Sequence, residues 1–419
     1  MINYLKIFLI KLIILANKAG FMHLLSANHL IQITGFGGQI FLTRILSVED
    51  IGTIKVYQSI LNILMIIASL GLNTAVLKLC SENLEQKERI NIFNITLIFT
   101  LICSAIIVII SIIFYSDNLL KVYILLIPTL SITNLVVIYL QSQQKIKTIS
   151  YIQSLSKIII IIFSTLGAYL LGFHGYIYSL VLLNIVTFLF IVPFVRTELK
   201  FLNVTKFHRR QVKRVYSISI FAFGANLLGV LLINLNILIA NFLSVNTKEI
   251  GFYSVAQLIV STMMMIPSSL GQIMVPKLSG VSNDKNKITS YLRTYNIRNL
   301  YLAIFVVILA ASLGPLLIPL FFGDKYSHSV PTFEILLIGF LFWSYYSPKG
   351  MTLLSIGRSD VNFYVSLISL MCNIIFNFVF IKSFGMVGAA VASTLTNFLT
   401  IFINNYFFNK VFFKEKNTA

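Results

Sequence analysis

The chain has 419 residues, of which 58% are apolar and 11% charged, with a mean hydropathy of +0.90. A water-soluble globule carries about a quarter charged residues, so that class is excluded. The formal charge of +19 would suit nucleic acid on a soluble module, but the positions of the charges leave no room for such a module, and a nucleic-acid partner is excluded with it.

Residues 1–18 are apolar but are cut by Lys6 and Lys11 into pieces too short to span a bilayer, and another hydrophobic stretch follows where a cleavage site would be needed. They are expected to lie in the membrane interface ahead of the first helix. Beyond them the charges fall in gaps. No Asp, Glu, Lys or Arg occurs in 19–43, 56–77, 90–116, 122–144, 215–247, 250–276, 299–323, 361–381 or 383–409. Each run is long enough for the roughly 20-residue helix that crosses a hydrocarbon core. The run 158–195 is long enough for two crossings, with Leu171-Gly-Phe-His-Gly175 as the turn; the first begins near Ser150 and takes in Lys157. The stretch 326–348 is interrupted only by Glu334. An all-α polytopic membrane protein of twelve transmembrane helices is expected.

Letting the spans alternate from a cytoplasmic N-terminus places 25 Lys and Arg on the cytoplasmic side and 6 outside, with Lys157 inside a span. That asymmetry predicts both termini in the cytoplasm and a multi-pass protein of the cytoplasmic (inner) membrane, its excess charge against membrane lipid headgroups. Gly35, Gly37 and Gly38 in the first helix, Pro128 in the fourth, Pro267 and Pro276 in the eighth and Pro348 in the tenth are candidate breakers of cavity-lining helices, or simply the Gly and Pro common in membrane helices. Cys80, Cys103 and Cys372 have no metal-ligand spacing and read as small apolar residues; no metal or cofactor is expected.

The chain repeats itself. Leu46-Ser-Val48 and Ile51-Gly52 recur as Leu243-Ser-Val245 and Ile250-Gly251. At an offset of 199, Gln58 matches Gln257, Ser69 matches Ser268, and Lys78 and Leu79 match Lys277 and Leu278. At an offset of 213, Lys145 aligns with Arg358, Tyr151 with Tyr364, Gly175 with Gly388 and Asn184 with Asn397. Six repeated helices keep the same orientation. The expectation is two parallel lobes, 1–206 (lead-in and helices 1–6) and 207–419 (helices 7–12), joined by the basic Arg196–Arg214 loop, with a substrate path and alternating access between them.

The segment Leu42-Thr-Arg-Ile-Leu-Ser-Val-Glu-Asp-Ile-Gly52 resembles the signature after the first helix of Wzx-type polysaccharide and O-antigen flippases, members of the multidrug/oligosaccharidyl-lipid/polysaccharide exporter superfamily. Leu320-Phe-Phe-Gly-Asp-Lys-Tyr326, Gly357-Arg358, Asn373-Ile-Ile-Phe-Asn377 and Phe384-Gly-Met-Val-Gly-Ala-Ala-Val-Ala392 are similar to further elements of that family. The resemblance implies a non-enzymatic flippase for an undecaprenyl-diphosphate-linked oligosaccharide in O-antigen or capsule assembly, with a polysaccharide polymerase and a chain-length regulator as candidate partners. Two alternatives stay open. A multidrug/cation antiporter of the same superfamily is disfavoured because spans one to six hold no carboxylate, and a membrane polysaccharide polymerase because no long outer loop is present.

Candidate site residues follow. Lys157, roughly 10 Å into the fifth helix, marks a pathway or snorkels to the interface. His29, beside Asn28, Gln32 and Thr34, faces a cavity or packs against a helix. Lys78 and Lys277 form a pair at the inner mouth and Arg44 a cation at the outer one, or all three are membrane anchors. Trp343, the only tryptophan, with Tyr345 and Tyr346, offers a sugar-stacking surface in mid-span or ordinary packing. Glu334 is the candidate for ion coupling.

Overall fold

The structure, a computed structural model, describes residues 34–82, 84–195, 209–281 and 284–414. The expected interfacial lead-in lies outside them. The described residues contain helices and turns and no strand, as an apolar chain in lipid requires if each backbone N–H and C=O is to find a partner within its own segment. Helix α1 occupies residues 34–45. It is followed by α2 (Val48–Ser69), α3 (Leu72–Cys80), α4 (Gln86–Phe114), α5 (Asn118–Ile124), α6 (Leu126–Ser142) and α7 (Ile146–Ile191). Then come α8 (Arg209–Phe242), α9 (Thr247–Ser279), α10 (Lys285–Phe322), α11 (Val330–Ser355) and α12 (Ser359–Lys414). Among the described residues nine helices are long and apolar enough to cross a membrane.

Local chemistry sets where the helices stop. Ser47 and Asp50 form a reciprocal cap at the start of α2: the Asp50 backbone N–H donates to Ser47 Oγ (3.1 Å) and the Ser47 N–H to Asp50 Oδ2 (3.2 Å). This is a capping box in which Asp50 fills the third helical position and Glu49 takes no part. Asp117 caps α5 by accepting from Leu119 and Leu120. Asp284 caps α10, and the Lys287 backbone N–H together with its side chain holds the Asp284 carboxyl below its ordinary value. The break between α5 and α6 at Leu125 has a cause three residues on, because Pro128 has no N–H for the Ile124 carbonyl.

The run read as one second span is interrupted at Leu70 (φ 43) and Gly71 (φ 72), which separates α2 from α3. Helix α9 continues through Pro267 and Pro276, and α11 through Pro348. Lys349, counted among the loop charges, lies inside α11, where its Nζ donates to Asn405 Oδ1 and sits 5.7 Å from the Phe408 ring centre.

The same devices recur 213 residues apart. The long runs α7 and α12 each break at a left-handed glycine, Gly172 (φ 64, ψ −147) and Gly385 (φ 57, ψ −140). A Cβ on Gly175 would lie 2.2 Å from the Gly167 carbonyl oxygen, and one on Gly388 2.0 Å from that of Phe380. Thus the first glycine of each Gly-x-x-Gly supplies the turn and the second the close approach. The C-termini of α6 and α11 end alike. Gln144 (φ 58) and Gly357 (φ 80) are left-handed, and the N–H groups of Lys145 and Arg358 reach back to the carbonyls of Leu140 (3.1 Å) and Leu353 (2.8 Å). Both are Schellman closures.

The chain forms two compact units, residues 1–46 with 60–227 and residues 47–59 with 228–419. In the first, Leu72, Val76, Leu79, Phe93, Leu135 and Ile152 belong to one buried cluster, with Phe93 stacked on Tyr139 at 4.3 Å. Arg214 pairs with Glu82, whose backbone carbonyl accepts from Arg89 Nη2 (3.0 Å). In the second, α11 packs against α9, α10 and α12. Here the start of α2 crosses the start of α9 with reciprocal geometry. A Cβ on Gly52 would lie 1.8 Å from the Thr247 carbonyl oxygen, and one on Gly251 2.2 Å from that of Val48.

Candidate functional site

Inside the second unit, α8, α9, α11 and α12 enclose a cavity of about 550 Å³, within the roughly 300–1,000 Å³ of small-molecule sites. Among the described residues its wall contains no Asp, Glu, Lys, Arg or His. Its polar groups are amides and hydroxyls, set among apolar side chains that include Leu232, Val260, Met264, Leu336 and Val365. On α12, Ser393, Asn397, Thr400 and Asn404 recur every three or four residues and so share one helix face. Asn236 of α8 is the hub: its Nδ2 donates to Tyr253 Oη (2.6 Å) and Ser393 Oγ (2.7 Å), and its Oδ1 accepts from Asn377 Nδ2 (2.8 Å). Asn373 donates on to Thr396 Oγ1 (3.1 Å), and Ser369 and Thr400 share a bond of 2.8 Å.

On α11 the wall is aromatic and polar together. Trp343 and Tyr346 line the cavity, with Phe340 stacked beside Trp343 at 6.3 Å and 26°. Tyr346 Oη donates to Asn397 Oδ1 (3.1 Å), whose Nδ2 donates to the Gly339 carbonyl (3.2 Å). Two buried wall atoms, Ser347 Oγ and Asn404 Oδ1, have no hydrogen-bond partner among the described residues. A cavity whose apolar wall carries amides and hydroxyls offers both lone pairs and an aromatic face, which suits a neutral guest with hydroxyls on one side and C–H groups on the other. Among the described residues no group of three His, Cys, Asp or Glu is placed to hold a metal ion.

Of the residues singled out in the sequence, the structure brings Trp343 and Tyr346 together in this wall. Tyr345, about 100° further round the helix, is exposed and outside it. Glu334 is exposed near the start of α11 and outside the lining. Lys157 is exposed on α7 in the first unit, Arg44 on α1, and Lys78 and Lys277 near the ends of α3 and α9. His29 lies outside the described residues. The asparagines that make the cavity, above all Asn236 and Asn404, were missed by a search for charge. The repeating amide and hydroxyl stripe on α12 was the available signal.

A family profile described as "Polysaccharide biosynthesis protein" matches residues 41–331. The capsular polysaccharide biosynthesis protein CapF of Staphylococcus aureus is 30% identical over 167 residues, 39% of this chain and 42% of its own length. The chain spans between 36% and 62% of the curated relatives it matches. Among solved structures, the lipid II flippase MurJ in an inward closed conformation gives a TM-score of 0.72 at 16% identity, covering 91% of this chain and 86% of that one. An inward-facing multidrug resistance MATE family transporter of the MOP superfamily gives 0.70 at 14% identity, covering 93% and 96%. At such identities the likeness establishes the fold: this is a multi-pass, all-helical membrane protein with the MATE and MurJ architecture.

Proposed function

This chain belongs to the polysaccharide biosynthesis protein family, and we propose from that premise that it is a flippase, not an enzyme, turning a lipid-diphosphate-linked oligosaccharide across the cytoplasmic membrane. The observation that carries the reading is the cavity of about 550 Å³ among membrane-spanning helices, whose polar groups among the described residues are amides and hydroxyls without a charge. Sugars are too polar to cross hydrocarbon unaided. A cavity that replaces their water with side-chain hydrogen bonds lowers that barrier while the prenyl tail stays in lipid. The MATE likeness keeps a cation antiporter as a second reading, but the described wall has no carboxylate to neutralise a cation's charge.

In this reading the chain has twelve transmembrane helices in two six-helix lobes, 1–206 and 207–419, with both termini cytoplasmic. The recurrence of Gly172 as Gly385 and Gln144 as Gly357, and the reciprocal Gly52 and Gly251 contacts, support that duplication. Alternating access moves the cargo to the outer leaflet, where a polymerase and a chain-length regulator are the proposed partners. Reporter fusions after Lys206 and after Lys416 should both read as cytoplasmic; an external reading at either place removes the topology.

The function is tested directly in liposomes. Full-length protein should speed the appearance of an undecaprenyl-diphosphate-linked trisaccharide of neutral sugars on the far leaflet, read by a membrane-impermeant glycan-oxidising enzyme. A rate no higher than in protein-free liposomes overturns the reading.

A further inference from the structure

A lipid-linked glycan can be neutral or can carry carboxylates, and the cavity distinguishes the two by what its wall still has to offer. The amide donors are in part committed within the wall: both N–H groups of Asn236 go to Tyr253 and Ser393, and one each of Asn373, Asn397 and Asn362 goes to Thr396, the Gly339 carbonyl and the Gly350 carbonyl. Gln257 donates to the Ile233 carbonyl (3.2 Å). Among the buried wall atoms of the described residues, a carbonyl oxygen, Asn404 Oδ1, and a hydroxyl, Ser347 Oγ, have no partner. An orphan buried acceptor is satisfied by a hydroxyl or acetamido N–H and is repelled by a carboxylate. No wall residue is a cation that could offset a carboxylate's lost hydration. The stacked Phe340 and Trp343 add a face for the C–H side of a pyranose.

We infer that the cavity of the second unit is a subsite for uncharged sugars, hydroxylated or N-acetylated, and that it turns away a sugar bearing a carboxylate at that place. The inference rests on the flippase reading and sharpens it to a class of cargo.

Trp343 is the only tryptophan in the chain, so intrinsic fluorescence of the purified full-length protein reports what enters the cavity. A soluble neutral trisaccharide should shift the emission saturably. The same trisaccharide with one hexose replaced by its hexuronic acid should need at least about tenfold more for half the shift. Ser261 lines the cavity yet is exposed, so Ser261→Lys places an ammonium there without disturbing the packed wall. This variant should narrow the ratio to about threefold or less. Equal response to both sugars, or a preference for the acidic one, overturns the inference. So does no response to the neutral sugar. Each of these leaves the flippase standing if the liposome rate for the neutral lipid-linked cargo exceeds the protein-free rate. A protein-free rate with a normal fluorescence shift overturns the flippase and keeps the neutral-sugar site.

Discussion

Gly52→Val and Gly251→Val should each abolish most surface-polysaccharide display and lower the thermal unfolding temperature of the purified protein, whereas Gly224→Ala and Gly229→Ala should change neither. The contrast comes from what a Cβ would meet. At Gly52 it would lie 1.8 Å from the Thr247 carbonyl oxygen and at Gly251 2.2 Å from that of Val48, while at Gly224 and Gly229 nothing lies within 4 Å. Overpacking costs about 1–3 kcal/mol where side chains can yield. Here the obstacle is backbone at the capped start of a helix, so the two helices must separate. The positions correspond at an offset of 199, as do Val48 and Thr247, and each glycine seats the other helix's carbonyl. The two variants should therefore fail to a similar degree. Normal display from Gly52→Val would show that this crossing does not close during the transport cycle, and a large inequality between the two would argue against a duplicated origin.

The helices were legible because lipid imposes a rule on charge. A span that exposes Lys or Glu to hydrocarbon costs several kcal/mol, so gaps in the charge pattern mark spans directly. The turn expected at Leu171–Gly175 is where α7 breaks, at Gly172, since two crossings require a reversal and glycine takes it without strain. The same logic misplaced Lys349. A lysine at the end of a gap reads as loop, but an asparagine partner, a ring face and a long stem keep it inside α11. The break at Leu70–Gly71 had no such signal, because Gly71 is one of several span glycines and the need for it comes from Ser219, whose carbonyl oxygen a Cβ would approach to 2.2 Å.

The cavity was half legible for a related reason. Hydropathy averages hide an asparagine among isoleucines, and a site without charges is invisible to a search for charges. Aromatic residues at mid-span pointed to Trp343 and Tyr346, but adjacent positions on a helix face different ways, and Tyr345 falls outside the wall. Asn236 could not be found from its own segment, because its role is to join Tyr253, Ser393 and Asn377 from two other helices. Such a network is fixed by tertiary packing.

Lys157→Ala should lose surface-polysaccharide display while the protein remains at normal levels in the membrane, and Lys157→Arg should keep much of it. The argument starts from the cavity. A wall without a cation can seat sugars but leaves the diphosphate of the proposed cargo uncompensated, so that charge must be met elsewhere. Lysines inside spanning helices include Lys55 in α2, Lys349 in α11 and Lys157, about three turns into α7. Lys349 is committed to Asn405 and lies over Phe408, and its loss should reduce stability first. Lys157 is exposed and makes no hydrogen bond or ion pair among the described residues. An ammonium at the centre of a span costs about 2.5–3.5 kcal/mol on insertion scales and less nearer its end, and pairing with a phosphate would offset that cost. Arginine preserves the charge and adds a fork that phosphate also accepts, which is why the conservative variant separates a charge role from a packing role. Display and protein level are read together by immunoblot of the same membranes. Full display by Lys157→Ala would remove it from the path and leave Lys78, Lys277 and Arg44 to meet the diphosphate. Equal failure of the Ala and Arg variants at normal protein levels would show that the shape of the lysine, and not its charge, is what the path requires.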